Sequence, residues 1–336
     1  MDRNDIYIVS RHSNLNEKTA NNFLNGHVYN DASSWKKFLH IFFIVLGIGF
    51  TATGIIFFFA YNWDSLHKFA KMGILQVLII AATIVALRIR SHILVKKSIL
   101  TGAAILVGAL FAVHGQIYQT GANAYDFFLA WTFSIVIWAA VANFAPLWLL
   151  LVGLANTTIY LYFAQIARDA WPIAFICLLV LNAAALILFV FISSRKSLID
   201  FPNWFRNLLA LSTSYHAIAG LIFTMYTKDD AGTEFVILLL LTVILCGVSI
   251  WYGNKIRSIF FFAMAAFTVM SFVSASLLKV SVNEAVILFI SLVNMIGIPL
   301  LNRFFYDVNK QWNAEIPQAQ TIEVPVTDTP ENGSEE

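Results

Sequence analysis

An all-α polytopic transmembrane bundle of about ten spans is the fold this sequence predicts, and three observations predict it. Hydrophobic residues make up 59% of the chain against 12% charged, and the mean hydropathy is +0.75, a balance no water-soluble globular core of this size accommodates. The 30 Phe, 9 Trp and 11 Tyr are spread through long apolar runs, which lipid receives without penalty. Those runs are about 17 to 25 residues long and end in charges or helix breakers, the length a helix needs to cross hydrocarbon with every backbone group paired internally.

The first 38 residues are polar and carry no cleavable leader pattern, so the run 39–60 is expected to remain as the first span. The others are expected at 72–88, 98–114, 127–143, 146–164, 171–192, 206–226, 235–252, 258–278 and 285–302. The fourth and fifth are separated only by Ala142-Asn143-Phe144-Ala145-Pro146, where Pro146 suits the first turn of a new helix. Were that break a mere kink, nine spans would result and the C-terminus would change sides.

Basic residues weigh the two schemes, because cytoplasmic flanks are enriched in Lys and Arg. With ten spans and the N-terminus inside, 16 of the 21 basic residues fall on inside segments, among them Lys36, Lys37, Lys96, Lys97, Arg195, Lys255 and Arg257. Only Lys68, Lys71, Arg168, Lys228 and Lys279 fall outside. The charge pattern therefore favours ten spans with both termini cytoplasmic. Three regions follow: a cytoplasmic helical segment at 1–38, a bundle at 39–303 and an acidic tail at 304–336. In the first, Asn16 is placed to cap a short helix that Gly26 ends. The tail holds Glu315, Glu323, Asp328, Glu331, Glu335 and Glu336 with three prolines, a composition that reads as disordered.

Cys177 and Cys246 each lie inside an apolar run with no partner spacing, and are expected as small buried side chains. Gly47, Gly49 and Gly54 in the first span and Gly102 and Gly108 in the third offer surfaces for close helix packing. Asn156, Asn182 and Asn294 are deeper polar candidates within spans, without formal charge, and a lone His216 reads first as a helix-packing or hydrogen-bonding residue. No zinc-protease, nucleophile-elbow, P-loop or spaced Cys/His pattern is present, so no cofactor, no metal and no enzymatic activity is expected. Nucleic acid is not expected as a partner either, since topology already explains the basic residues.

The stretch HGQIYQTGANAYDFFLAW, His114 to Trp131, sets His114, Gln116, Tyr118, Gln119, Asn123 and Asp126 between two apolar blocks. A histidine and an aspartate near one aqueous face suit proton exchange or the binding of a cation or polar solute. Equally, these side chains satisfy the backbone of an outer loop while Tyr118, Tyr125 and Trp131 anchor the interface. Tyr61-Asn62-Trp63-Asp64 falls on the same side, so Asn62 and Asp64 are candidates for a shared vestibule, or for simple helix caps.

The Gly-rich first span ending in FFFAYNW, followed by HGQIYQTGANAYDFFLAW, resembles the bacterial membrane-protein family catalogued as domain of unknown function 2157. Ala60, Asn62 and Trp63 carry the first element; Gly115, Gln116, Tyr118, Gln119, Asp126 and Trp131 carry the second. The resemblance covers about residues 10 to 165. It implies a polytopic protein of the bacterial inner membrane with a small cytoplasmic helical region in front, and supplies no substrate or reaction. Two functions stay open. One is transport of a small polar or amphipathic solute, which five spans before Arg168 and five after it would suit as inverted halves. The other is a sensory, assembly or envelope-maintenance scaffold that binds a membrane protein partner. Membrane lipids surround the chain in either case.

Overall fold

The computed structural model describes residues 32–61, 67–90, 92–118, 121, 123–194, 201–227 and 232–314. Among them lie ten α-helices and no strand: α1 (Ala32–Tyr61), α2 (Lys68–Arg88), α3 (Ile93–Tyr118), α4 (Ala124–Ala142), α5 (Ala145–Gln165), α6 (Trp171–Ser194), α7 (Asn203–Thr227), α8 (Thr233–Ile256), α9 (Ile259–Val280) and α10 (Glu284–Ala314). Each is long and apolar enough to cross a membrane. The chain is a membrane protein built as an all-α bundle. Every expected span coincides with one helix; the proposed cap at 16–26 lies outside the described residues, as does 315–336.

The disputed break between the fourth and fifth spans is a true helix end. Asn143 takes φ 45 and ψ 59 as the C-cap of α4, a left-handed conformation that an asparagine tolerates better than most side chains. Pro146 then sits in the first turn of α5, where its missing N–H breaks no bond. The Lys97 ammonium of α3 donates to the Asn143 carbonyl at 2.8 Å, adding positive charge where the α4 dipole is negative.

The chain divides into two compact units, with the boundary inside α7 between Leu209 and Ala210. In the first unit α3 touches α1, α2 and α4, and α4 continues the contact order through α5 to α6. Small residues allow α3 this position: Ala103 and Ala104 are fully buried, and Gly102 meets Ile48 of α1 closely enough that a Cβ there would lie 3.2 Å from its Cγ2. Around this face Leu75, Ile79, Leu106, Val107, Ile135, Ala139 and Leu147 form one buried cluster. Between α5 and α6 the amides of Asn156 and Asn182 pair in both directions, at 2.6 and 3.3 Å. Each also donates to the carbonyl one turn back, so a fully buried Asn182 has its donor satisfied without water. The rings of Phe189, Phe201 and Phe205 cluster near the C-terminal end of α6 with centroids 4.8 to 5.3 Å apart.

In the second unit α9 touches α8 and α10. Gly253 of α8 lies against Phe262, whose ring would stand 2.9 Å from any Cβ added there. The turn between α8 and α9 puts Arg257 at φ 53, and its guanidinium donates to the Trp312 carbonyl at 2.8 Å, fastening the last turn of α10. That helix has 31 residues, about 46 Å at about 1.5 Å per residue, against a hydrocarbon core of about 30 Å. Its final turns, with Arg303, Asp307 and Lys310, therefore continue eleven residues past the expected end of the bundle at 303, because only the apolar part of a helix is limited by the membrane.

Two expectations need correcting. No atom lies within 4 Å of a Cβ built at Gly47, Gly49 or Gly54, so the α1 glycines are not close-packing contacts here; of the five singled out, only Gly102 and Gly108 are. Cys177 and Cys246 are free but only half-buried, since in lipid an apolar side chain gains nothing by facing inward.

Candidate functional site

The polar stretch between α3 and α4 folds into a pocket. α3 runs unbroken to Tyr118, carrying His114 and Gln116 past its apolar body. Gly121 takes φ +61, a left-handed turn position that costs glycine little, and the chain enters α4 through the N-cap Asn123. Asp126, in the first turn of α4, accepts the Asn123 backbone N–H at 3.2 Å, the carboxylate arm of a capping box placed where the helix dipole favours negative charge. From the far end of α5, Gln165 Oε1 accepts the Tyr125 N–H at 3.2 Å, and the Tyr125 and Tyr162 rings meet edge to face at 5.4 Å. These contacts fix the start of α4 against the end of α5.

The resulting cavity holds about 640 Å³ and is lined by His114, Gln116, Asn123 and Asp126 with Phe111, Gly115, Gly121, Phe127 and Ala130. That volume suits a small ligand. His114 and Gln116 are exposed at its rim. The Tyr118 ring lies beside the His114 ring, centroids 4.7 Å apart and 40° between planes, and so orients the imidazole from outside the lining. One side of the site can thus donate or accept through imidazole and amide, while Asp126 offers a carboxylate oxygen that already serves the cap.

Deeper in, the α3–α4 seam is shut by a single side chain. The Trp131 indole N–H donates to the Ala104 carbonyl at 2.9 Å, laying its ring across Gly108, where a Cβ would come within 2.5 Å of it. Val113, Ile135 and Ala139, all buried, continue the closure. The cavity's own apolar wall, Phe111, Phe127 and Ala130, adjoins this packed seam.

The structure brings together four of the eight predicted residues, His114, Gln116, Asn123 and Asp126, and places Tyr118 behind the first. Gln119, Asn62 and Asp64 lie outside the described residues. Gln165 was not singled out from the sequence; its position as the last residue of an apolar helix was the only signal. Among the described residues no three His, Cys, Asp or Glu side chains gather as metal ligands.

Residues 14–148 match the family model of DUF2157, described as a predicted membrane protein. The matched region runs from before α1 into the start of α5, and thus contains the whole pocket and the Trp131 closure. No curated protein and no solved structure matches the chain. The match bears out the resemblance drawn from FFFAYNW and HGQIYQTGANAYDFFLAW, and it assigns no substrate.

Proposed function

We propose that this is a non-enzymatic protein of the bacterial inner membrane that binds a small polar or amphipathic solute and transports it. Both termini are cytoplasmic, so the α3–α4 pocket opens on the external face; the basic flanks support this orientation. One observation carries the reading: a cavity of about 640 Å³ with imidazole, two amides and a carboxylate at its wall, set on helix ends that hydrogen bonds hold in place. The Asp126 carboxylate and His114 imidazole favour a solute carrying a hydrogen-bond donor or a positive charge.

On this reading the Trp131 ring, which fills the Gly108 notch of the α3–α4 seam, gives way when the solute passes. The rival reading, a sensory or assembly scaffold with a membrane protein partner, draws on the same packing: a pocket beside a tightly packed seam can report occupancy without transport.

Reconstitution separates the two. Proteoliposomes containing the full chain are expected to take up cationic or donor-rich solutes from a panel of small amines and polyols, with uptake lost in Gln116→Ala and His114→Ala variants that melt like the wild type. Saturable binding without uptake would replace transport with the scaffold reading. Absence of both binding and uptake across the panel would remove the pocket as a solute site.

A further inference from the structure

The second unit holds a cavity with a different chemistry. α7 and α9 run in the same direction and are fastened at their C-terminal ends, where the Tyr226 hydroxyl donates to the Ala275 carbonyl at 2.9 Å and the Lys279 ammonium donates to the Met225 carbonyl. Away from these bonds the helices enclose about 760 Å³, lined by Leu211, Ser214, Tyr215 and Ile222 of α7 and by Phe260 and Phe267 of α9, among others. The wall is aromatic and aliphatic, and Tyr215 and Phe267 are exposed, so the cavity is open to the lipid phase.

Ser214 breaks the pattern. A hydroxyl within a membrane helix usually donates to the carbonyl one turn back, and in this chain Thr51, Thr83, Thr158, Thr242, Thr268 and Ser276 all do. The Ser214 hydroxyl has no partner although the residue is only 5% exposed, and it lines the cavity. Ser98 and Thr224 also hold unpartnered hydroxyls, but neither lines it. An unmet donor in hydrocarbon carries a desolvation penalty that a ligand acceptor removes.

Depth selects the acceptor. Ser214 lies one residue from the middle of the 25-residue α7, hence close to the bilayer centre. The ester carbonyls of glycerolipids sit at the edge of a hydrocarbon core about 30 Å thick, about 15 Å away. The acceptor must belong to a molecule whose polar group enters hydrocarbon.

We propose that the α7–α9 cavity binds a neutral, membrane-soluble carbonyl compound of the prenylquinone class, with a ring carbonyl accepting the Ser214 hydroxyl and the ring lying among Tyr215, Phe260 and Phe267. Offset aromatic contacts favour a flat ring, and the apolar groove accepts the tail. The site is separate from the α3–α4 pocket and does not depend on the solute reading.

The test uses the full chain purified in detergent and a photoreactive decyl benzoquinone. Saturable labelling is expected within residues 211–222 and 260–271, displaced by unlabelled decyl benzoquinone and not by dioleoyl phosphatidylcholine. Ser214→Ala is expected to weaken binding about tenfold, the loss of one hydrogen bond, with a melting temperature equal to or above the wild type; Ser214→Thr retains affinity. Labelling elsewhere, displacement by the phospholipid, unchanged affinity in Ser214→Ala, or a lowered melting temperature in that variant would each overturn the assignment.

Discussion

Substituting Gly108 by alanine tests the closure of the α3–α4 seam directly. A Cβ at this position would stand 2.5, 2.6 and 2.7 Å from three indole atoms of Trp131, whereas carbon atoms rest at about 3.5 Å or more. The ring must retreat by about 1 Å. It has little freedom to do so, because its N–H is held at 2.9 Å by the Ala104 carbonyl of α3, one turn before Gly108, and Phe128 and Trp131 are packed against the surrounding core. Overpacking of this kind costs about 1 to 3 kcal/mol, and loss of the indole hydrogen bond adds about 0.5 to 1.5 kcal/mol. We expect Gly108→Ala to destabilise the protein by about 2 to 4 kcal/mol in a reversible unfolding titration in mixed micelles. The double variant Gly108→Ala with Trp131→Leu removes the clash and should recover at least half of that loss. A single variant as stable as the wild type, or a double variant no better than the single one, would refute the steric account.

Asn182→Leu leaves the Asn156 amide oxygen without its donor and should cost about 1 to 3 kcal/mol, while Asn156→Leu combined with it should be nearer the wild type; an additive double-mutant cycle in thermal melts would contradict the pairing. Asp126→Asn weakens the cap of α4 and should cost about 1 kcal/mol, whereas Asp126→Glu, which suits the same capping position, should keep stability and change only solute binding. If both variants alter melting equally, Asp126 is structural and leaves the binding account. Lys97→Met removes a charged hydrogen bond to the Asn143 carbonyl and should cost about 1.5 to 3 kcal/mol, read by the same titration; no change would show that the α4 terminus is satisfied without it.

The number and placement of the helices were legible because hydrocarbon imposes a length and an unbroken apolar run that a linear chain displays openly. Pro146 announced the helix boundary between α4 and α5 for the same local reason, since it lacks an N–H; that Asn143 takes the positive φ there was visible only in the structure. The capping role of Asp126 was less plain, since a carboxylate three residues after Asn123 reads equally as a ligand. Glycine was ambiguous in another way. Gly108 and Gly54 look alike in sequence, yet only the former receives a ring, because the partner that fills a glycine notch comes from another helix.

Sequence alone therefore determined that this chain is a membrane helical bundle, how many rods it has and which apolar run forms each, and that a polar island lies between the apolar bodies of α3 and α4. Tertiary structure decided which of those polar groups face one cavity, that Trp131 fills the Gly108 notch, that Asn156 finds Asn182 across an interface, and that Ser214 is left without a partner in a second cavity. The division has one cause. A helix satisfies its backbone and meets the membrane by itself, residue by residue, while a pocket exists only where side chains distant in the chain are brought within contact distance, and lipid, as apolar outside the bundle as the core within, leaves no hydrophobic pattern from which to read which face turns inward.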